Sequence, residues 1–186
     1  MSKRHHSLPR IWLMTDERLE DALLPAIRAL PRGAGVIFRH YATPPAARRQ
    51  LFDQVRALAR TRRLMLILAG PPHQAQAWRA DGSHGRHRGA VTAPVHNLAE
   101  LKAAQKAGAK LLFLSPVFAT RSHPGGRPLG RQRFAALCQK AHIPVIALGG
   151  MTPTRFRQVK SLGAYGWAAI DGLTPKQDQK RKAVPR

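Results

Sequence analysis

A chain of 186 residues is long enough to bury one substantial core and short for two. Its composition, 44% hydrophobic and only 6% aromatic, excludes a disordered chain and suits an α/β protein rich in Ala, Leu and Val. Lys and Arg number 32 against 9 Asp and Glu, a formal charge of +23, so the partners favoured by its field are anions, from nucleic acid to phosphorylated metabolites. The positive charge is spread along the chain, and Arg at polar helical positions mainly solvates a face, so polyanion binding is expected to be non-specific. The single Cys138 excludes a disulfide framework and a cysteine-based zinc site, which makes a reducing cytoplasm the expected location. No apolar run approaches the ~20 residues of a membrane span. Pro9 and Arg10 break the run from Leu8 to Met14, so no signal peptide is expected either.

In chain order, Ile11 to Thr15 reads as a strand and Asp16 to Leu30 as a helix with apolar Leu19, Leu23, Leu24, Ile27 and Leu30. Gly35 to Arg39 is the second strand. Pro44-Pro45 opens a helix at its first turn, where proline is tolerated, and that helix runs to about Arg62. Leu64 to Leu68 is wholly apolar, as a strand covered on both faces should be. A short helix from His73 to Trp78 precedes a weak strand at Asp81 to His84, and Ala90 to Ala93 is another brief strand. Asn97 is placed to cap a helix over Leu98 to Lys106, with Gly108 at its end. Lys110 to Leu114, Pro144 to Leu148 and Tyr165 to Ile170 complete eight candidate strands, separated by helices at Gln132 to His142 and Pro153 to Leu162.

Eight strands in unbroken alternation with helices point to a compact (β/α)8 TIM barrel, with a doubly wound sheet as the alternative. The chain is shorter than the ~200 residues at the low end for such barrels. Shortened or missing helices after the fourth and eighth strands are the expected economy. Residues 1–173 are expected to form the single barrel domain, and the basic segment 174–186, which lacks an apolar stripe, a frayed tail.

Chemistry in such a barrel gathers at the C-terminal ends of the strands. Gly149-Gly150 follows the seventh strand and precedes Thr152-Pro153, a helix cap and first-turn proline. Glycines there let backbone amides approach a phosphate, and the helix N-terminus adds positive potential. Thr120, Arg121, Ser122, His123 and Arg127 share a loop whose hydroxyls and cations suit a diphosphate. Arg39 ends the second strand as an anion clamp, with an exposed basic residue the plainer reading. His84 and His87 follow the fourth strand, but two histidines alone do not make a metal site, and surface positions are their commoner use. Acidic residues near strand ends are few (Asp16, Asp81 and Asp171) and none ends the third strand, where Leu68-Ala69-Gly70-Pro71 stands. Nucleophile elbow, P-loop and dinucleotide fingerprint are all missing.

At these residues the chain resembles the thiamine-phosphate synthase family, which also contains the thiazole tautomerases. The resemblance runs from about Ile11 to Leu173. It is best over Ala107 to Gly130, with Pro116-Val117-Phe118 and Pro128-Leu129-Gly130, and over Ile143 to Pro153. It implies a (β/α) barrel of thiamine biosynthesis that joins a hydroxymethylpyrimidine diphosphate to a thiazole phosphate and releases pyrophosphate with Mg2+. It implies that Thr120 and Ser122, with Arg121, hold the diphosphate, and that Gly149 and Gly150 receive the thiazole phosphate. His84 joins them as a substrate-binding position. Arg39, together with His123 where the family has a lysine, stands as a catalytic candidate. Several positions depart from the family pattern. Ile37 and Tyr41 replace a glutamine and a lysine around the arginine, and Asp171 replaces a serine. The carboxylate positions of the magnesium site fall at Ala69-Gly70 and near Gly89, so the usual metal ligands are not found and no metal residue is assigned. Arg86, Arg88, Arg121 and Arg127 are the cations available in the metal's place. The alternatives are a tautomerase-like isomerase, with His84, His96 or His123 moving the proton, or a degenerate barrel that binds phosphorylated ligands or RNA.

Overall fold

The fold is described from a computed structural model, over residues 8–120 and 127–175. The short apolar runs become eight strands: β1 (Ile11–Met14), β2 (Gly35–Phe38), β3 (Met65–Ala69), β4 (Gly82–His84), β5 (Thr92–Val95), β6 (Leu111–Leu114), β7 (Val145–Ala147) and β8 (Gly166–Ala169). Each pairs in parallel with the next, and β8 returns to β1, so the sheet is a closed barrel and not an open doubly wound one. The helices are α1 (Leu23–Ala29), α2 (Pro45–Arg62), α3 (Pro72–Ala77), α4 (Leu98–Lys106), α5 (Gly130–Gln139) and α6 (Pro153–Lys160). As expected, no helix follows β4, and among the described residues only a 3₁₀ turn, Asp171–Leu173, follows β8.

Two elements differ from expectation, each with a proline at its cause. The first helix is not continuous: Asp16 caps a 3₁₀ turn over Glu17–Ala22, Glu20 adopts φ 41° and ψ −124°, and α1 restarts at Leu23. A single helix would press the Pro25 ring against the carbonyl four residues back, so the chain restarts where Pro25 falls in the first turn. The fifth strand lies two residues later than Ala90 to Ala93 and includes Pro94. Thr92 turns its carbonyl to β4, where it accepts from the Gly85 N–H at 3.0 Å. Pro94 has the same parity, so its missing N–H faces the side on which that ladder has already ended.

Strand register fixes which side chains fill the barrel. Ile37 pairs with Ile67, Ala69 with His84, His84 with Thr92, and Phe113 with Ile146, so these share the inner face. Trp12 and Phe113 meet edge to face inside, with centroids 5.3 Å apart. On the outer face, Phe38 packs on Phe52 of α2, while Leu112, Leu114, Ala147 and Trp167 form a second layer with Phe134 and Val159 under α5 and α6. Asp81 accepts from the Leu66 N–H at 2.7 Å at the start of β4, on the rim opposite the strand C-termini. No described helix is long and apolar enough to cross a membrane. The basic tail expected from residue 174 lies, from residue 176 onward, outside the described residues.

Candidate functional site

The loops after β6 and β7 are zipped together at the top of the barrel. Val117 N–H donates to the Leu148 carbonyl at 2.8 Å and Phe118 N–H to the Gly149 carbonyl at 3.2 Å. This sets Thr120 beside Gly149-Gly150, and the loops enclose a cavity of about 190 Å³ that Arg39, His96 and Arg127 also line. Gly149 has φ 95° and Gly150 φ 61°. Among the described residues neither of their N–H groups donates to a protein acceptor, although Gly149 is buried. Buried amides are almost always paired, so two unspent donors in the lining of a cavity are available to an anion. Thr152 caps α6 by accepting from the Arg155 N–H at 3.2 Å, and Arg155 donates to the Gly150 carbonyl at 2.5 Å, which fixes the turn. Arg39, Thr120, Gly149 and Gly150, selected from sequence, are therefore brought to one cavity; Arg121, Ser122 and His123 lie outside the described residues.

Arg39 sits just beyond β2, where the ladder no longer holds its peptide, and side chains take over. Its N–H donates to the Thr15 hydroxyl at 2.9 Å, leaving that hydroxyl to donate to His40 Nδ1, also at 2.9 Å. Burial of His40 holds its imidazole below the ordinary histidine range, in keeping with a neutral, accepting ring. The Arg39 carbonyl accepts from Arg48 Nε at 3.0 Å and Nη2 at 2.8 Å, and Nη2 also reaches the Ala69 carbonyl at 3.0 Å. Arg48 is itself stacked against Phe38 and Trp78, with its guanidinium carbon 5.7 and 5.1 Å from their centroids. The Arg39 guanidinium pairs with Asp16 at 3.6 Å, and Arg18 holds the same carboxylate at 2.7 Å. Burial disfavours the Asp16 charge, but the hydrogen bonds from Arg18 and the charges of Arg18 and Arg39 together hold its carboxyl below the ordinary range.

His84, expected among the ligand-binding residues, is not part of the cavity wall. As the last residue of β4 it has an inward pleat. Its Nδ1 lies 2.9 Å from Thr92 Oγ1, and its ring meets Phe113 edge to face at 5.2 Å. It is 7% exposed, not a surface histidine. Burial, with a smaller contribution from the Arg39 charge, pushes its imidazole down to about 3 from 6.5. The native ring stays neutral below pH 6.5 while the unfolded chain's takes a proton. The stability from this group is therefore whole above about pH 6.5 and falls as pH drops towards 3, by about 1.4 kcal/mol per pH unit. Denaturant midpoints at pH 7 and 5 should show wild type losing about 2 kcal/mol more than His84→Asn. Equal losses would mean that His84 is protonated in the native state.

His96, one of the proton carriers expected in the isomerase alternative, is held by a partner that the sequence reading does not name. Asn97 accepts from the Glu100 N–H at 2.9 Å, and Glu100 reaches back to the His96 N–H at 2.9 Å and to His96 Nδ1 at 2.8 Å. The signal was the Asn-x-x-Glu capping pattern, which fixes Glu100 beside whatever precedes the cap. Glu100 also pairs with Arg86 at 3.0 Å. A carboxylate holding one ring nitrogen leaves the other for proton transfer in the cavity.

A magnesium ion does not fit the donors present. Ala69 and Gly70 end β3 and Gly89 lies in the β4–β5 loop, so no carboxylate stands where the resemblance places one. No group of three or more His, Cys, Asp or Glu able to hold a metal occurs among the described residues. Asp16, which is buried, already carries two guanidinium partners, and Asp171 is the single carboxylate in the cavity lining. A hard dication wants open carboxylate oxygens and no adjacent cations.

The model of the family described as thiamine monophosphate synthase matches residues 11–173. The chain is 31% identical over 179 residues to a candidate thiamine-phosphate synthase of Aquifex aeolicus, covering 88% of this chain and 96% of that protein. It is 29% identical over 192 residues to the thiamine-phosphate synthase of Alcanivorax borkumensis, covering 93% and 88%. Among solved structures, the thiamine phosphate pyrophosphorylase of Pyrococcus furiosus superposes with a TM-score of 0.75 at 22% identity, covering 89% of this chain and 87% of that one, a likeness of fold.

Proposed function

The chain belongs to the thiamine monophosphate synthase family, and on that premise we propose that it is a transferase of thiamine biosynthesis that joins a hydroxymethylpyrimidine diphosphate to a thiazole phosphate. The observation that carries this reading is the meeting of the two unspent amides of Gly149-Gly150 with Thr120, Arg127 and Arg39 in one cavity at the strand C-termini. The amides receive the thiazole phosphate. Thr120, with Arg121 and Ser122 further along its loop, holds the diphosphate. Arg39 and His123 serve the reaction: Arg39 offers a fixed charge to the oxygens on which negative charge grows as pyrophosphate departs, where a preorganised donor acts most strongly.

His96 with Glu100 favours a second reading, an isomerase that shuttles a proton on a thiazole phosphate. One experiment separates the two: incubation with both substrates, with magnesium and with chelator, and chromatography of the products. Thiamine phosphate in either condition supports the synthase. Its absence in both, with isomerised thiazole phosphate recovered, would replace the first reading with the second.

A further inference from the structure

We propose that the diphosphate seat in this cavity is an arginine cradle that takes a diphosphate free of divalent metal, with Arg39 and Arg127 as its two charges. The proposal rests on the reading that the cavity receives phosphorylated ligands, and it concerns how their charge is met. Bringing a diphosphate into a partly enclosed site requires positive charge at the phosphate oxygens, from a metal or from side chains. The donor set here is wrong for the metal, since Ala69, Gly70 and Gly89 offer no side-chain oxygen, Asp16 is held by Arg18 and Arg39, and the cavity lining holds a single carboxylate, Asp171.

Two arginines and a threonine in the lining suit the anion and outnumber the one carboxylate, Asp171. Arg39 enters from β2 with its peptide clamped at both ends by Thr15 and Arg48, so its guanidinium starts from a fixed backbone. Arg127 enters from the segment before α5, across the cavity from β2, and Thr120 supplies a hydroxyl between β6 and the paired glycines. Guanidinium groups bind phosphate oxygens through two parallel N–H donors, which places charge and direction together. Of the other arginines considered from sequence, Arg86 is committed to Glu100, and Arg88 is absent from the cavity wall. Beyond the wall, a formal +23 attracts an anion and opposes the approach of a dication.

The test is calorimetric titration of the full chain with inorganic pyrophosphate, first in EDTA and then with excess magnesium, alongside thiazole phosphate. The expected result is one site per chain in EDTA, with affinity changing less than about threefold on adding magnesium. Arg39→Met and Arg127→Met should each weaken it about tenfold or more. The double variant Arg60→Gln, Lys102→Gln, on exposed helix faces away from the cavity, should bind as wild type does. Arg127 lies in an exposed loop, so its variant tests the idea even if Arg39→Met folds poorly. Binding that needs magnesium overturns the proposal, as does binding at several sites per chain that the double variant weakens equally. Thiazole phosphate binding without metal-free pyrophosphate binding would sink this inference and leave the proposed function standing. Pyrophosphate binding without product in the coupling reaction would do the reverse.

Discussion

Gly150→Ala is expected to weaken thiazole phosphate binding by ~30-fold or more while leaving the barrel folded, because the change strikes the turn that presents the anion seat. Gly150 has φ 61°, and a methyl group on it would collide with the Ala119 carbonyl oxygen and crowd Arg155 Nη1 at 2.9 Å. A left-handed backbone costs an L-residue about 1–2 kcal/mol before any collision is counted. Relief requires the turn to rotate, which re-aims the Gly149 and Gly150 amides, or the β6 loop to withdraw, which carries Thr120 away. Neither preserves the seat. Gly108→Ala provides the comparison: its φ is 89° but nothing lies within 4 Å of the added carbon. That variant should lose about 1–2 kcal/mol of stability and none of the binding. Calorimetric titration with thiazole phosphate, paired with denaturant melts, reads both quantities. Wild-type affinity in Gly150→Ala would mean that the phosphate sits elsewhere.

Much of this site was legible in the sequence for reasons that the geometry makes plain. Ile146 and Ala147 are buried on both faces of the sheet, so an apolar run that stops at two glycines marks a strand end whatever surrounds it. The same holds for Phe113 and Leu114 before the Thr120 loop. What the residues did not disclose were interactions that cross between elements. Arg48 reads as one of several helix-surface cations, yet its guanidinium fastens the ends of β2 and β3. His84 reads as a strand-end ligand, and only the register that places it opposite Ala69 and Thr92 turns it inward. The split of the first helix was visible in Pro25, but the apolar spacing of Leu19, Leu23 and Ile27 favours a continuous helix, and periodicity outweighed the proline. The fifth strand, read as Ala90 to Ala93, in fact includes Pro94, because its ladder to β4 has already ended on the side that the missing N–H faces.

Arg39→Met should lower kcat/KM for the coupling reaction by about 10²–10³-fold with little loss of stability, and that separation is the strongest check on its role. The guanidinium meets the cavity, Asp16 and the largely exposed Tyr41 ring, whose centroid is 5.9 Å away, and the three carry different weights. The Asp16 contact is long, 3.6 Å, and Arg18 holds the carboxylate at 2.7 Å whether or not Arg39 is present. Losing it removes the longer of Asp16's two contacts and leaves the carboxylate paired with Arg18, a loss of about 1 kcal/mol or less. The backbone clamps from Thr15 and Arg48 bind the peptide, not the guanidinium, so the Met variant keeps them. In the cavity no such redundancy exists on the β2 side, because Ile37 and Tyr41 stand where the resemblance places further polar residues and Tyr41 is largely exposed. Arg39→Lys keeps the charge but forfeits the paired donors, so it should recover part of the lost rate, mostly in KM. Steady-state kinetics for the three proteins, with thermal melts of each, decide the matter. A fall in melting temperature that tracks the fall in kcat/KM would make Arg39 a structural strut, whereas full recovery by lysine would reduce its part to charge alone.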